Sequence, residues 1–276
     1  MAHAHNPEAD ALLDKEFPVL DHGFVRLVDY LGGDDRIVQS ARVSYGKGTK
    51  TVRADKGLID YLMRNQHTSP FEQVVLTFHL KMPIFVARQW VRHRTARMNE
   101  ISGRYSVMND EFYVPAPEHV HRQSQDNRQG RDESRPLPEK EAEKIRSRME
   151  DLNKKAYELY QSILDEGVSR ELARVNLPNS LYTEFYWQMD LRNLLHFIQL
   201  RLGKHAQLEI RLYAETMAKI VKIVTPFAYE AFERHALFGR QFSSLEIQAI
   251  RDRLAGKEPD LTERQQREFL EKLGEK

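Results

Sequence analysis

The sequence predicts a domain of mixed helix and strand, and three observations carry that prediction. Residues 24–31, 71–81 and 182–189 are short runs rich in Val, Leu, Phe and Tyr, the composition of strands. Between and after them lie longer stretches whose apolar residues recur at helical spacing. Gly, Pro, Ser and Asp stand at the joints, where caps and turns need them.

Taken in order, residues 1–22 begin as a His/Ala/Asn/Pro-rich segment expected to fray or to serve as a lid. Residues 24–31 alternate in part and read as a strand ended by Gly32-Gly33. Residues 34–43 read as a helix. So do residues 54–65, with Leu58, Ile59, Leu62 and Met63 on one face. His67-Thr68-Ser69-Pro70 breaks that helix before the strand 71–81. Proline suits the first helical turn, so Pro83 is expected to start a helix from Phe85 to about Arg94. Residues 121–137 have scarcely an apolar side chain and are expected to be a disordered surface excursion within the domain. From Glu139 a long amphipathic helix carries Ile145, Met149, Leu152, Leu159 and Ile163 at helical spacing and ends at Gly167. Ser169 is placed to cap the next helix, which Pro178 stops. After the strand 182–189, Asp190 caps a helix through Leu202 with Leu191, Leu194, Leu195, Ile198 and Leu202 as its buried stripe. Gly203 separates it from another helix starting near Lys204. Beyond Ser243, the pairs Ser243/Glu246 and Thr262/Gln265 are capping boxes for short terminal helices.

Composition bounds the chemistry. With 276 residues the chain can bury a substantial core as one large or two small domains. A formal charge of +1 gives no general basic field, so the chain is not expected to bind nucleic acid, and clustered arginines are local devices for a small anion. The chain has no cysteine, which excludes disulfides, thiolate metal sites and a cysteine nucleophile. No apolar run approaches the ~18 residues of a membrane span, and the start shows no signal-peptide pattern, so the expected location is cytoplasmic. There is no G-x-G-x-x-G and no P-loop. His205 and Glu209, four apart on the helix expected there, are the best metal pair; without H-E-x-x-H, no metal is expected.

The most concentrated chemistry lies in residues 92–106, which hold four arginines, a histidine, Glu100 and three serine or threonine hydroxyls. They follow the apolar run 83–91, so a buried element is expected to deliver guanidinium groups to one spot, a phosphate site. Ser102 is expected to bind rather than attack, since no base is evident beside it.

Arg92-His93-Arg94, seven residues, then Ser102 resembles the RHR-x7-S signature of the flavin-dependent thymidylate synthases. Its context matches too: Arg88-Gln89-Trp90 before it, Asn99-Glu100 inside it and Arg104-Tyr105-Ser106 after it. The resemblance extends over residues 23–238, leaving 1–22 as an N-terminal segment and 239–276 as a helical extension. It implies an α+β fold, a small mainly antiparallel sheet with packed helices in a single domain, assembled as a homotetramer with shared active sites. It implies reductive methylation of dUMP to dTMP with 5,10-methylenetetrahydrofolate as carbon donor, NADPH as reductant and FAD as hydride carrier.

By the same resemblance, Gln89, Arg92, Glu100, Ser102, Gly103, Arg104, Arg174 and Arg201 are expected at dUMP. His67, Ser69, Arg92, His93, Arg94, Glu100, Asp190, Arg192 and His196 are expected at FAD. Arg201, placed beside the pyrimidine, is the candidate catalytic residue, because a cation there favours ionisation of the imide. Three positions depart from the family pattern: Arg97, where a small residue is common, and Asp190 and His196, where asparagine is frequent. They leave open a non-catalytic nucleotide-binding descendant, which a turnover assay distinguishes.

Overall fold

The structure is a computed structural model in which residues 5–44, 52–125 and 129–274 are described. The chain forms two compact units, Met1–Tyr229 and Glu230–Lys276.

In the first unit, Asn6 caps a short helix α1 (Pro7–Asp10), and strand β1 (Glu16–Val19) follows. The segment expected to fray is therefore ordered from residue 5. Ala9 is fully buried and the Asn6 amide donates to Ile223 O at 3.1 Å. A single inward alanine and a tethering amide suffice, and neither shows as a periodic pattern. Strand β2 (Gly23–Leu31) leads into α2 (Asp34–Ala41) and α3 (Val52–Arg64). Residues 71–73 form one 3-10 turn, so β3 begins at Val75 and runs to Pro83. Then come α4 (Ile84–Trp90) and β4 (Arg97–Glu100).

Residues 121–137 are not featureless: β5 (His121–Gln123) pairs antiparallel with β6 (Arg131–Pro136). This two-stranded ladder is held by polar contacts and not by an apolar face, which is why composition concealed it; residues 126–128 lie outside the described set. The long helix α5 spans Glu139–Asp165, with Gly167 in the left-handed region just beyond it. Helix α6 (Arg170–Ala173) is short and Ser169 makes no side-chain cap. Strand β7 (Tyr182–Asp190) passes directly into α7 (Leu191–Arg201), where the Asp190 carboxylate accepts from Asn193 N as expected. Helix α8 (Leu208–Val224) begins four residues later than expected, after a turn.

The main sheet has the order β1-β2-β3-β7-β4, every pair antiparallel. Its inner face presents Leu76, Phe78, Leu80, Phe185 and Trp187, all essentially inaccessible, to helices α4, α7 and α8. Trp90, at the end of α4, sits at the centre of this core. Its ring centroid lies 4.5 Å from Phe197, 5.5 Å from Trp187 and 5.9 Å from Tyr213. A second, smaller core of Met108, Phe112, Tyr160, Ala173 and Leu181 lies where α5 packs. Among the described residues no helix is long and apolar enough to cross a membrane.

Helix α9 (Pro226–Phe232) runs across the division between units. In the second unit both predicted capping boxes form, opening α10 (Ser244–Leu254) and α11 (Glu263–Leu273). Lys272 Nζ meets Glu246 at 2.7 Å, and Phe242 packs edge-on to the buried Phe269.

Candidate active site

The helix expected through Arg94 ends at Trp90. Burial of that indole pins the chain, and the residues that follow leave the core in a turn and then the edge strand β4. The signature is thus a surface segment at the rim of a buried core, not a buried element. Arg92, Arg94 and Arg97 are exposed, as are Met98, Ile101 and Tyr105. His93 alone turns back: its N–H donates to Trp90 O at 3.0 Å and its ring lies edge-on to Phe197 at 4.8 Å.

Two groups of expected site residues result. The inner group joins the ends of α4 and α7. Arg201 Nε donates to His93 Nε2 at 3.1 Å, and one terminal nitrogen donates to the main-chain carbonyl of Gln89 at 3.1 Å. Burial, then the Arg201 charge, then His196 lower the His93 pKa to about 4, so the ring is neutral and accepts through Nε2. Arg201 is half-buried and these two partners carry no negative charge. Its cation is placed without being neutralised, in the last turn of α7, where the helix dipole favours it. The Gln89 amide donates to Gln207 Oε1 at 2.5 Å.

The outer group lies on the small core. Gly103 is buried so closely that a Cβ there would meet Arg174 Cδ at 3.0 Å and Met108 Sδ at 3.1 Å. Glycine therefore seats Arg174 against the end of the signature. Met108 is held by its own N–H to Tyr160 and its carbonyl from Tyr157, both at 3.0 Å. Arg104 Nε pairs with Glu171 at 3.1 Å, both side chains more than half exposed. Ser102 Oγ accepts from Arg104 N at 3.3 Å in a local turn. Glu100 accepts from the buried Thr183 hydroxyl at 2.6 Å across the β4–β7 edge.

Of the residues expected at FAD, Asp190 caps α7 and Arg192 and His196 lie on it, while the exposed His67 and Ser69 precede the turn 71–73, which packs on α7. Asp190 accepts from the Asn193 N–H as the cap and from the Asn193 side-chain amide at 2.7 Å. His196 is exposed, with its pKa lowered by partial burial and by Arg192.

A cavity of about 760 Å³ opens beside the inner group, lined by Gln89, Arg201, Gln207, the turn 204–206 and the β5–β6 ladder. Sequence reasoning missed this wall, and it missed Gln207, Tyr113, Arg131 and Thr183. None stands in a motif, and each acquires a role only through a partner distant in the chain. Glu209, considered only with His205 for a metal, is the carboxylate for Arg131 at 2.6 Å. His205 precedes α8, so the helical spacing does not apply.

A cavity bordered by a half-buried guanidinium with no acidic hydrogen-bond partner, by the amides of Gln89 and Gln207 and by the mixed charges of the β5–β6 ladder is a site for a small polar ligand. The thymidylate synthase complementing protein family matches residues 26–227. The flavin-dependent thymidylate synthase of Treponema denticola is 58% identical over 95% of this chain and 98% of its own. That of Treponema pallidum is 53% identical over 99% of this chain and 89% of its own. A UMP/dUMP methylase, PolB, from Streptomyces cacaoi, solved with 5-Br dUMP, superposes with a TM-score of 0.72 at 33% identity, over 79% of this chain and 97% of that one. The chain belongs to the flavin-dependent thymidylate synthases.

Proposed function

We propose that this enzyme methylates dUMP reductively to dTMP, taking the carbon from 5,10-methylenetetrahydrofolate and the reducing equivalents from NADPH, in the cytoplasm. The observation that carries the reading is Arg201, a half-buried cation held by a neutral imidazole and a carbonyl beside a 760 Å³ polar cavity. A guanidinium so placed retains its field for the ligand and stabilises negative charge developing on a pyrimidine carbonyl or imide. C5 of the ring is a poor nucleophile, and with no cysteine in the chain its activation is non-covalent with respect to the protein.

In this reading Arg104 and Arg174 bind the nucleotide phosphate, Ser102 and the backbone at Gly103 add donors, and Gln89, Arg92 and Glu100 complete the site. The donor set around the start of α7 fits a flavin dinucleotide. Arg92, Arg94 and Arg192 suit its pyrophosphate, while His67, Ser69, His93, Glu100, Asp190 and His196 supply hydrogen-bonding groups for the rest. FAD, when bound, supplies hydride transfer. His93 keeps Arg201 oriented, and Trp90 and Phe197 exclude water behind it. Homotetrameric assembly with shared sites is supported by the exposed Met98, Ile101 and Tyr105 next to the site residues.

The test is a visible absorption spectrum of the purified protein before and after dUMP is added. Oxidised-flavin bands that shift with the nucleotide are expected. A colourless protein that FAD does not reconstitute overturns the reading.

A further inference from the structure

The β5–β6 ladder has no apolar face to hold it against the cavity, yet its inner strand is anchored on a buried charge. One terminal nitrogen of Arg131 donates to Glu209 Oε1 at 2.6 Å and the other to His119 O at 2.9 Å. Tyr113 donates to the same carboxylate oxygen at 3.0 Å, while Glu209 Oε2 is buried with no hydrogen-bond partner from the protein. Glu209 is 3% exposed, so the arrangement is an interior ion pair inside a folded wall. Burial opposes the charge, but the hydrogen bond and charge of Arg131 hold the Glu209 carboxyl below the usual range. Burial, then the charge of Glu209, push the Tyr113 phenol well up, so its proton stays on as a donor. Losing either partner of such a pair leaves an uncompensated buried charge.

The same carboxylate sits in the first turn of α8, two residues after Gln207, which stands at the N-terminal boundary of that helix. Gln207 in turn accepts from the amide of Gln89, whose own carbonyl accepts from Arg201. Arg131 and Glu209 therefore tie the cavity wall to the start of α8, where Gln207 meets Gln89, the residue whose main chain holds the candidate catalytic guanidinium.

We propose that Glu209 and Arg131 are positioning residues for the nucleotide site, seating β6 on the start of α8 and thereby fixing Gln207 and the Gln89 amide that faces the cavity. The inference rests on the proposed function for its kinetic arm. Neither residue touches the nucleotide in this account; both act through Gln207.

The experiment uses full-length, flavin-loaded enzyme with Glu209→Gln and Arg131→Lys. The expected result for Glu209→Gln is a rise of about tenfold in KM for dUMP with kcat within about twofold, since the loss is of ligand positioning before chemistry. Hydrogen exchange at residues 131–136 is expected to accelerate about tenfold, as the anchored strand opens locally. Arg131→Lys, which keeps the charge but loses the fork, is expected to fall between wild type and Glu209→Gln on both measures. If Glu209→Gln does not fold, Arg131→Lys decides on the same two measures. Faster exchange in β6 with a wild-type KM overturns the proposal, as does wild-type exchange together with wild-type KM. Absent turnover in the wild-type enzyme is a separate outcome; it removes the proposed function and this inference with it.

Discussion

Arg201 and Arg104 are both expected at the nucleotide, yet the structure treats them in opposite ways. Arg201 is half-buried, and its two hydrogen-bond partners, a neutral ring nitrogen and a carbonyl, orient it without cancelling its charge. Arg104 is mostly exposed and ion-paired with Glu171, a contact that water and salt screen. The inner guanidinium is preorganised by a core built around Trp90, so no reorganisation is needed when charge develops beside it. In the proposed reaction the outer one, exposed and paired only at the surface, would follow a phosphate as it arrives. Preorganisation stabilises a transition state, whereas a mobile surface cation serves capture.

The largest test of that contrast is Trp90→Ala. Removing the centre of the core should cost about 3–5 kcal/mol in chemical denaturation and release His93 and Arg201 together. Retained stability would show that the inner group does not depend on the core. Next, Arg201→Ala should lower kcat by about 10²–10³-fold with nucleotide binding retained, whereas Arg104→Ala should act mainly on KM. Equal effects on both parameters for both variants would erase the distinction. Gly103→Ala sharpens the outer side. Its Cβ forces Arg174 or the buried Met108 to yield, at about 1–3 kcal/mol, and calorimetry together with a raised KM for dUMP would report both consequences.

A pH series separates the groups further. The His93 pKa of about 4 lies below the ordinary 6.5, so on acidification the unfolded chain takes up the proton first. Stability held by the neutral ring is full above about 6.5, declines as pH falls, and is lost once pH reaches about 4. Asp34 is raised to about 6 by burial, despite N–H donors at Phe227 and Ala228, and so works with the opposite sign in the same window. The measurement is therefore the difference between wild type and His93→Gln, which should show a shallower loss between pH 6.5 and 4. Parallel curves would mean that His93 is not the titrating group. The smallest effect is expected for Glu171→Gln, below about 1 kcal/mol, because an exposed pair contributes little.

Much of this was legible in the chain itself. Periodicity located β2, β7 and helices α2, α3, α5 and α7 to within a few residues, and side-chain chemistry located the caps at Asp190, Ser243 and Thr262. The run from Arg92 to Arg104 pointed to the family that the relatives show. Errors fell where a local rule met a distant partner. Proline at 83 permits a helix but cannot say that Trp90 ends it. The polar run 121–137 lacks the apolar residues of a strand, and its ladder is anchored instead on Glu209, 78 residues from Arg131.

By itself the sequence determined most of the element types, the absence of thiol chemistry and the family, because these follow from propensity, spacing and side-chain chemistry read along the chain. Only the tertiary structure decided that the signature lies at the rim of the core, that Gln89, His93 and Arg201 meet, and that Arg131 and Glu209 hold the cavity wall. Such contacts join residues tens to more than a hundred positions apart, and their energies depend on burial, which no local pattern encodes.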